Sequence, residues 1–347
     1  TTLASAAFGA ASGSTIVNAA VFTKMAMPEM TRFGYNKALS AGCIAASGTL
    51  ASLIPPSAIL VIYAIIVEES IGKLLLAGFL PGLVSALIYA SLIVIMCGAN
   101  PKLGQSIGGF SWRERWESTP GTLPIFAVIA VIFGAIYTGS ATPTEAGALG
   151  AMVVFALYIW RAVADREVTL VGKRLSDALI ETAKLTCMIF TLIWGVLIFV
   201  RFLGFAGLPG AFADWVTALD MPPILIMICI LLAYAVLGMF MDAIGMLILT
   251  LPVVFPAVIG LGYDPIWFGI IVVKMAEICL ITPPIGLNCF VVAGVTRDLK
   301  GEDGESMAVP LQDVFRGVGP FFVADVLTVA VLLAFPGIVL WLPNTMG

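Results

Sequence analysis

The sequence contains no histidine, and only 11% of its residues are charged. Without histidine there is no imidazole to serve as a general base, to ligate zinc or to complete a Ser-His-Asp arrangement. With so little charge, a soluble domain would not cover its surface. No C-x-x-C pair occurs among the six cysteines, Cys43, Cys97, Cys187, Cys229, Cys279 and Cys289. Most of them sit inside apolar runs, so they read as small buried hydrophobes and not as a disulfide framework or a transition-metal site. No G-x-x-x-x-G-K-[ST] is present, so the chain itself does not read as ATP-driven. One hydrolase-like pattern, Gly104-Gln105-Ser106-Ile107-Gly108, lies in a loop between apolar runs. It lacks the strand–turn–helix setting and a histidine to activate the serine, and it reads as coincidence. An intramembrane enzyme would need a catalytic dyad, and none is evident.

What is present is apolar: 61% of the residues are hydrophobic, and runs of membrane-spanning length recur throughout. The fold class expected is an all-α integral membrane protein. No signal peptide is visible, and the chain opens on Thr1-Thr2-Leu3, which reads as a fragment or as the later part of a longer polypeptide.

Basic and acidic loops alternate. Lys24, Arg32 and Lys37 precede the run 38–67, and Glu68 and Glu69 follow it. The run 74–97 leads to a loop with Lys102, Arg113 and Arg115. Runs 121–138 and 144–160 precede the most basic loop, with Arg161, Arg166, Lys173 and Arg174. The run 178–203 leads to a segment, 204–221, with Asp214 and Asp220 and no Lys or Arg. Placing the 161–174 loop in the cytoplasm puts loops 24–37 and 98–119 inside as well, and loops 67–73 and 204–221 outside. Lys73 is the one basic residue against the positive-inside rule. Trp112, Trp116, Trp215, Trp267 and Trp341 fall near run ends, where interfacial aromatics are expected.

The chain also repeats itself. Pro28, Gly34-Tyr35 and Pro55-Pro56 recur 228 residues later as Pro256, Gly262-Tyr263 and Pro283-Pro284. Loop 24–37 is basic, whereas its counterpart 257–264 has no basic residue and one acid, Asp264, so the two halves are expected to be inverted. Each half carries a glycine-rich break between short apolar arms: Gly9 to Ser14 in the first, and Gly238-Met239-Phe240-Met241-Asp242, between arms 222–237 and 243–256, in the second. These read as re-entrant hairpins. Each half then carries a proline-broken helix. Ala46-Ser47-Gly48-Thr49 leads to Ile54-Pro55-Pro56-Ser57 in the first, and Ile281-Thr282-Pro283-Pro284-Ile285-Gly286-Leu287-Asn288 is the counterpart. Two successive prolines remove N–H donors and clash with preceding carbonyls, so the helix opens. Freed backbone groups within a membrane must meet protein, water or ions. Inverted repeats with interrupted helices are an architecture of secondary transporters.

Such breaks offer carbonyl oxygens. Hydroxyls of Ser12, Ser14, Thr49, Ser57 and Thr282 and the amide of Asn288 add neutral oxygen, and Asp242 adds an intramembrane carboxylate, which is by default a functional-site hypothesis. Oxygen ligands suit a hard cation such as Na⁺, and half-helix ends add favourable dipole charge. One such site per repeat is expected. Lys274 and Glu277 lie three apart on one helix face. They either neutralise each other or leave Lys274 to attract a substrate carboxylate. Lys184 and Arg201 are weaker candidates of that kind, since both could snorkel to an interface. Small residues such as Gly9, Gly13 and Gly48 also serve close helix packing.

Together, Gly9-Ala10-Ala11-Ser12-Gly13-Ser14, Pro28-Glu29-Met30, Gly48-Thr49-Leu50, Ile54-Pro55-Pro56-Ser57, Ser70-Ile71-Gly72-Lys73-Leu74, Gly78-Phe79-Leu80-Pro81-Gly82 and Ile281 to Asn288 resemble one family nearly end to end. It is the large membrane subunit (dicarboxylate-type large permease) of tripartite ATP-independent periplasmic (TRAP) transporters. The resemblance implies an elevator-type, sodium-driven importer of small carboxylates, multi-pass in a bacterial inner membrane, with Na⁺ as coupling ion and no other cofactor. It implies a periplasmic substrate-binding protein and a small four-helix membrane subunit as partners, and no nucleic acid. Carried over by motif, the Na⁺-binding candidates are Ser12, Gly13, Ser14, Gly48, Thr49, Pro55, Gly238, Asp242, Thr282 and Pro283. The substrate-binding candidates are Ser57, Lys274 and Asn288. The chain departs from the family in lacking its N-terminal helices and most of the first hairpin arm.

The expected division is a first-repeat transport region 1–66, scaffold and connecting helices 67–220, a second-repeat transport region 221–296, and a cytoplasmic loop with a final scaffold helix, 297–347. The competing reading is a binding-protein-independent inverted-repeat symporter for dicarboxylate or citrate.

Overall fold

The computed structural model describes residues 1–104, 123–164, 168–300 and 306–345. The described residues are helical and connecting, with one isolated β-bridge between Lys300 and Ser306. In chain order the helices are α1 (Thr2–Ser12), α2 (Thr15–Arg32), α3 (Lys37–Thr49), α4 (Ala58–Val67) and α5 (Ile71–Ala99). Then come α6 (Leu123–Tyr137), α7 (Pro143–Ala164), α8 (Val168–Phe205), α9 (Leu208–Thr217) and α10 (Pro223–Gly238). Last are α11 (Ala243–Gly260), α12 (Pro265–Cys279), α13 (Leu287–Asp298), α14 (Leu311–Ala334) and α15 (Gly337–Asn344). Five stretches among the described residues are long and apolar enough to cross a membrane: Ile71–Ala99, Pro143–Ala164, Val171–Phe205, Ala243–Gly260 and Leu311–Ala334.

Two helices form the centre. Every residue of α3 from Leu39 to Thr49 is buried, and so is every residue of α12 from Ile266 to Cys279. A helix covered all round is a core helix. The small residues of α3 let neighbours come close: a Cβ added to Gly42 would collide with the Gly317 carbonyl of α14, and one added to Gly317 with the Ala38 carbonyl. Backbones therefore touch at this crossing, as small residues permit. One apolar cluster surrounds α12 with α4, α5, α10 and α11, and the other surrounds α3 with α2, α13 and α14. By contrast α8 presents apolar side chains outward, with Trp194 71% and Phe205 90% exposed. An exposed apolar face on a helix of this length suits a membrane-spanning segment.

The repeat is written into the hydrogen bonds. Helices α2 and α11 match residue for residue 228 positions apart, and their N-caps, Ser14 and Asp242, are matched too. So are Asn36 and Asp264, the caps of α3 and α12. Gly34 and Gly262 share positive φ, 74° and 85°. The turn bonds Gly34 N–H to Thr31 O and Tyr35 N–H to Met30 O recur as Gly262 to Ile259 and Tyr263 to Val258. Both proline pairs, Pro55-Pro56 and Pro283-Pro284, contain a cis peptide bond.

Several expectations are corrected. The basic 161–174 segment is not an open loop: Arg161 belongs to α7, and Lys173 and Arg174 to α8. The 204–221 segment contains helix α9, whose Pro209 sits in its first turn, where proline costs no hydrogen bond. Trp267 is not an interfacial residue but 3% exposed, with its indole N–H donating to Leu332 O at 3.1 Å. Its ring stacks on Tyr263 at 5.1 Å. Cys43, Cys279 and Cys289 are buried, whereas Cys187 and Cys229 are exposed. Residues 105–108 of the hydrolase-like pattern, and Trp112, Arg113, Arg115, Trp116 and Arg166, lie outside the described residues.

Candidate functional site

The first break follows α3. A 3-10 turn, Leu50–Ser52, succeeds it, and the backbone leaves helical geometry until α4 begins. Single prolines at Pro28, Pro81, Pro252, Pro256 and Pro320 are accommodated inside helices, whereas the double prolines coincide with both openings. Hydroxyls serve the freed carbonyls. Thr49 Oγ1 donates to Ala46 O at 2.8 Å, and Ser52 Oγ to Thr49 O at 2.6 Å. Ser57 caps α4, accepting from Leu60 N–H at 3.4 Å while donating to Ser52 O.

The turn between α1 and α2 is seated on this break. Gly13 closes α1 in the left-handed conformation, φ 60°, donating its N–H to Gly9 O at 2.8 Å. A Cβ there would lie 2.8 Å from Pro56 O, so both the φ and the close approach call for glycine. Beside it, the Ser12 hydroxyl is buried and has no partner. Ser14 caps α2 by accepting from Val17 N–H at 3.4 Å. The buried Asn18 ties the arms together, its amide donating to Ser5 O at 3.0 Å and reaching Gly48 O at 3.5 Å, while Ser5 Oγ donates to Asn18 Oδ1 at 3.2 Å. The turn therefore meets the break with carbonyls and one uncommitted hydroxyl.

The second break follows α12. Leu280, Ile281 and Thr282 donate to Glu277, Ile278 and Cys279, tightening the helix end before it opens. Thr282 Oγ1 donates to Ile278 O at 2.5 Å. Asn288 N–H returns to Leu280 O at 3.0 Å, and Gly286, φ 41°, starts α13. On the paired α10–α11 arms, Gly238 packs so closely on α12 that a Cβ would collide with Cys279 Sγ. Asp242 is exposed and caps α11, accepting from Ile244 N–H at 3.2 Å and Gly245 N–H at 3.1 Å. Pro283 and Pro284 are exposed.

The breaks meet across the two halves. Asn288 donates to Ala45 O at 3.1 Å, and its Oδ1 is buried without a partner. Its amide nitrogen also lies 3.2 Å from where a Gly48 Cβ would stand. Ser52 Oγ donates to Glu277 Oε1 at 3.1 Å. The structure thus gathers Ser12, Gly13, Ser14, Gly48, Thr49, Pro55 and Ser57 about the first break and brings Asn288 to it from the other half. Gly238 and Thr282 stand with the second break. Asp242 engages only backbone amides among its hydrogen bonds.

Lys274 belongs to a separate buried cluster. Its ammonium lies 2.6 Å from Glu277 Oε2, 2.7 Å from Asp325 Oδ1 and 2.7 Å from Ser85 Oγ. Three partners occupy its three N–H donors, so in this conformation none is free for a substrate. Tyr89 donates to Asp325 Oδ1 at 2.6 Å, and its ring lies 5.6 Å from the ammonium. Sequence reasoning missed Asp325, Ser52 and Asn18. A lone aspartate within the apolar run of α14 is a signal that could have found Asp325.

Comparison with known proteins adds independent findings. The family model described as "Tripartite ATP-independent periplasmic transporter, DctM component" matches residues 1–338. The C4-dicarboxylate TRAP transporter large permease protein DctM of Pseudomonas aeruginosa is 35% identical over 350 residues, 99% of this chain and 77% of that protein. The protein of the same name in Vibrio cholerae is 31% identical over 352 residues, covering 97% and 75%. The sialic acid TRAP transporter large permease protein SiaM of Vibrio cholerae is 29% identical over 342 residues, covering 99% and 76%.

Proposed function

This chain belongs to the DctM component family of tripartite ATP-independent periplasmic transporters, and on that premise we propose that it is a sodium-coupled importer of small organic acids. The substrate class is C4-dicarboxylates or related carboxylates, by similarity to the P. aeruginosa and V. cholerae proteins named for them. A periplasmic substrate-binding protein delivers the acid, and a small four-helix membrane subunit braces the chain in the bacterial inner membrane. The two helix pairs α1–α2 and α10–α11 act as re-entrant hairpins, and the transport motion is of the elevator type.

One observation supports the cation reading above others: the α1–α2 turn presses on the Pro56 carbonyl while the adjacent Ser12 hydroxyl is buried without a hydrogen-bond partner. A buried polar group without a partner is costly unless something occupies it. Neutral oxygens at an interrupted helix suit Na⁺. The second cation site draws on Thr282, Pro283, Gly238 and Asp242, and Ser57, Lys274 and Asn288 address the substrate as the backbone rearranges.

The test is uptake of labelled succinate by proteoliposomes containing the chain and its small subunit. Four arms combine an inward sodium gradient or none with the binding protein or none. Accumulation only when both are present is expected. Uptake without the binding protein would favour the binding-protein-independent symporter, and uptake indifferent to sodium would overturn the coupling.

A further inference from the structure

A cavity of about 200 Å³ lies between α8 on one side and α4 and α11 on the other. From α8 it takes Ile189, Ile193 and Val196, at the i, i+4, i+7 spacing of one helix face. Ile62 of α4 and Ile244 and Ile248 of α11 form the opposite wall. Apart from two charged residues, every side chain that lines it is Ile, Leu or Val. Apolar cavities of about 150 Å³ stay dry and take up hydrocarbon guests. This one suits an alkyl chain, not a small ion.

The two exceptions are Glu68 and Arg201, both exposed. Among the described residues they form no ion pair with each other, and neither side chain has another hydrogen-bond or charge partner. Glu68 ends α4 at φ 58°, the one described non-glycine residue at positive φ. Glycine or asparagine usually fills that cap position. A glutamate is held there at a cost, which a use for its side chain at the cavity rim would explain.

Both charges stand at one end of the slot. Glu68 directly follows α4, and Arg201 lies in the last turns of α8. The segments they lead into, 67–73 and 204–221, are the two that the loop charges assign to the outer face. From Ile189 to Arg201, α8 rises about 18 Å at 1.5 Å per residue, a little over half of the ~30 Å hydrocarbon core. The slot therefore has the depth of one leaflet. It is apolar towards mid-membrane and carries one charge of each sign at the interface.

We propose that this slot binds one zwitterionic phospholipid of the outer leaflet, a phosphatidylethanolamine. An acyl chain lies between α8 and the α4–α11 wall, the phosphate meets Arg201, and the ammonium meets Glu68. The guanidinium fork matches phosphate oxygens, and a carboxylate accepts from an ammonium. Phosphatidylglycerol brings no cation for Glu68. A dicarboxylate would meet Arg201, but Glu68 repels it and it has no alkyl chain for the slot. An apolar helix of a partner subunit would leave both charges unanswered. The proposal goes beyond sodium-coupled uptake and does not depend on it.

Native mass spectrometry of the purified full chain in detergent tests this, with phosphatidylethanolamine and phosphatidylglycerol offered in equal amounts. Retention of one phosphatidylethanolamine per chain is expected, in several-fold excess over phosphatidylglycerol. Glu68→Gln should erase that preference by admitting phosphatidylglycerol. Arg201→Gln should cut retention of both lipids several-fold. Both side chains are exposed, so neither variant challenges the fold. Equal retention of the two lipids by the unaltered chain, or a preference that both variants leave unchanged, overturns the proposal. Added succinate or small membrane subunit should leave the lipid in place. Release by either gives the cavity to that occupant and also overturns it.

Discussion

Ser52 and Glu277, 225 positions apart in the chain, are bonded across the two halves: the Ser52 hydroxyl donates to Glu277 Oε1 at 3.1 Å. Ser52 closes the 3-10 turn at the first break, and Glu277 lies in the last turn of the helix that leads to the second. Two openings that the sequence places apart are thus joined through a buried carboxylate, as they are through the Asn288–Ala45 bond. Ser52→Ala removes that bond together with the shorter one the same hydroxyl shares with Thr49 O, and is expected to destabilise the chain by about 1.5–3 kcal/mol, the range for bonds to charged groups. Thermal unfolding in detergent against Ser85→Ala, which touches the same cluster through Lys274 alone, measures it.

Among the described residues, Lys274 is the only cation in its cluster. Lys274→Met leaves Glu277 and Asp325 buried without their counter-ion, which should cost about 3–5 kcal/mol. Adding Glu277→Met and Asp325→Asn to that variant removes both carboxylates and should recover much of the loss. The comparison of the single and combined variants by denaturation checks both signs at once.

Ser12 separates stability from function. Its hydroxyl has no partner to lose, so Ser12→Ala should leave the melting temperature within a degree or so, a ΔΔG of about 0.5 kcal/mol or less. If the hydroxyl is a cation ligand, the same variant raises the sodium concentration for half-maximal uptake several-fold. A parallel loss of stability would mark the residue as structural.

Asp242 has two separable roles. Its carboxylate caps α11, and Asp242→Ala should cost about 0.5–2 kcal/mol for the lost cap. Asp242→Asn keeps the cap, since asparagine is an equally good N-cap residue. Weaker sodium activation in Asp242→Asn, at unchanged stability, would place the charge in ion binding; normal activation would leave it a cap alone.

Two glycines contrast. Gly42→Ala sets a methyl against the Gly317 carbonyl and should destabilise by about 1–3 kcal/mol, the usual cost of overpacking. Gly294, inside α13, has nothing within 4 Å of an added Cβ, so Gly294→Ala should be neutral or stabilising by up to ~1 kcal/mol. Unfolding midpoints of the two variants decide the matter.

The features legible in the sequence were those with local causes. The double prolines marked both openings, because the loss of N–H donors and the steric clash are properties of the residues themselves. The arms around Gly238 to Asp242 were read to within a few residues for the same reason. The caps Ser14 and Asp242 sit at matched positions of the repeat. What escaped depended on packing. Tyr89, Ser85 and Asp325 converge on Lys274 from α5 and α14, and no local pattern announces that meeting. Helix α9 was missed because Gly207 before it and Pro209 in its first turn are loop signals, and a run of only ten residues reads as a connecting segment. Trp267 looked interfacial by its position near a run end, but the burial of α12 on all sides took it into the core.

The central claim, that the opened helices hold a sodium ion, is tested most directly by the melting temperature of the purified chain in sodium chloride against equal potassium chloride. An ion that binds only the folded state stabilises it in proportion to the logarithm of its concentration once sites are near saturation. The midpoint is expected to climb with sodium but not with potassium, and to climb less in Ser12→Ala. Identical midpoints in the two salts at every concentration would contradict it.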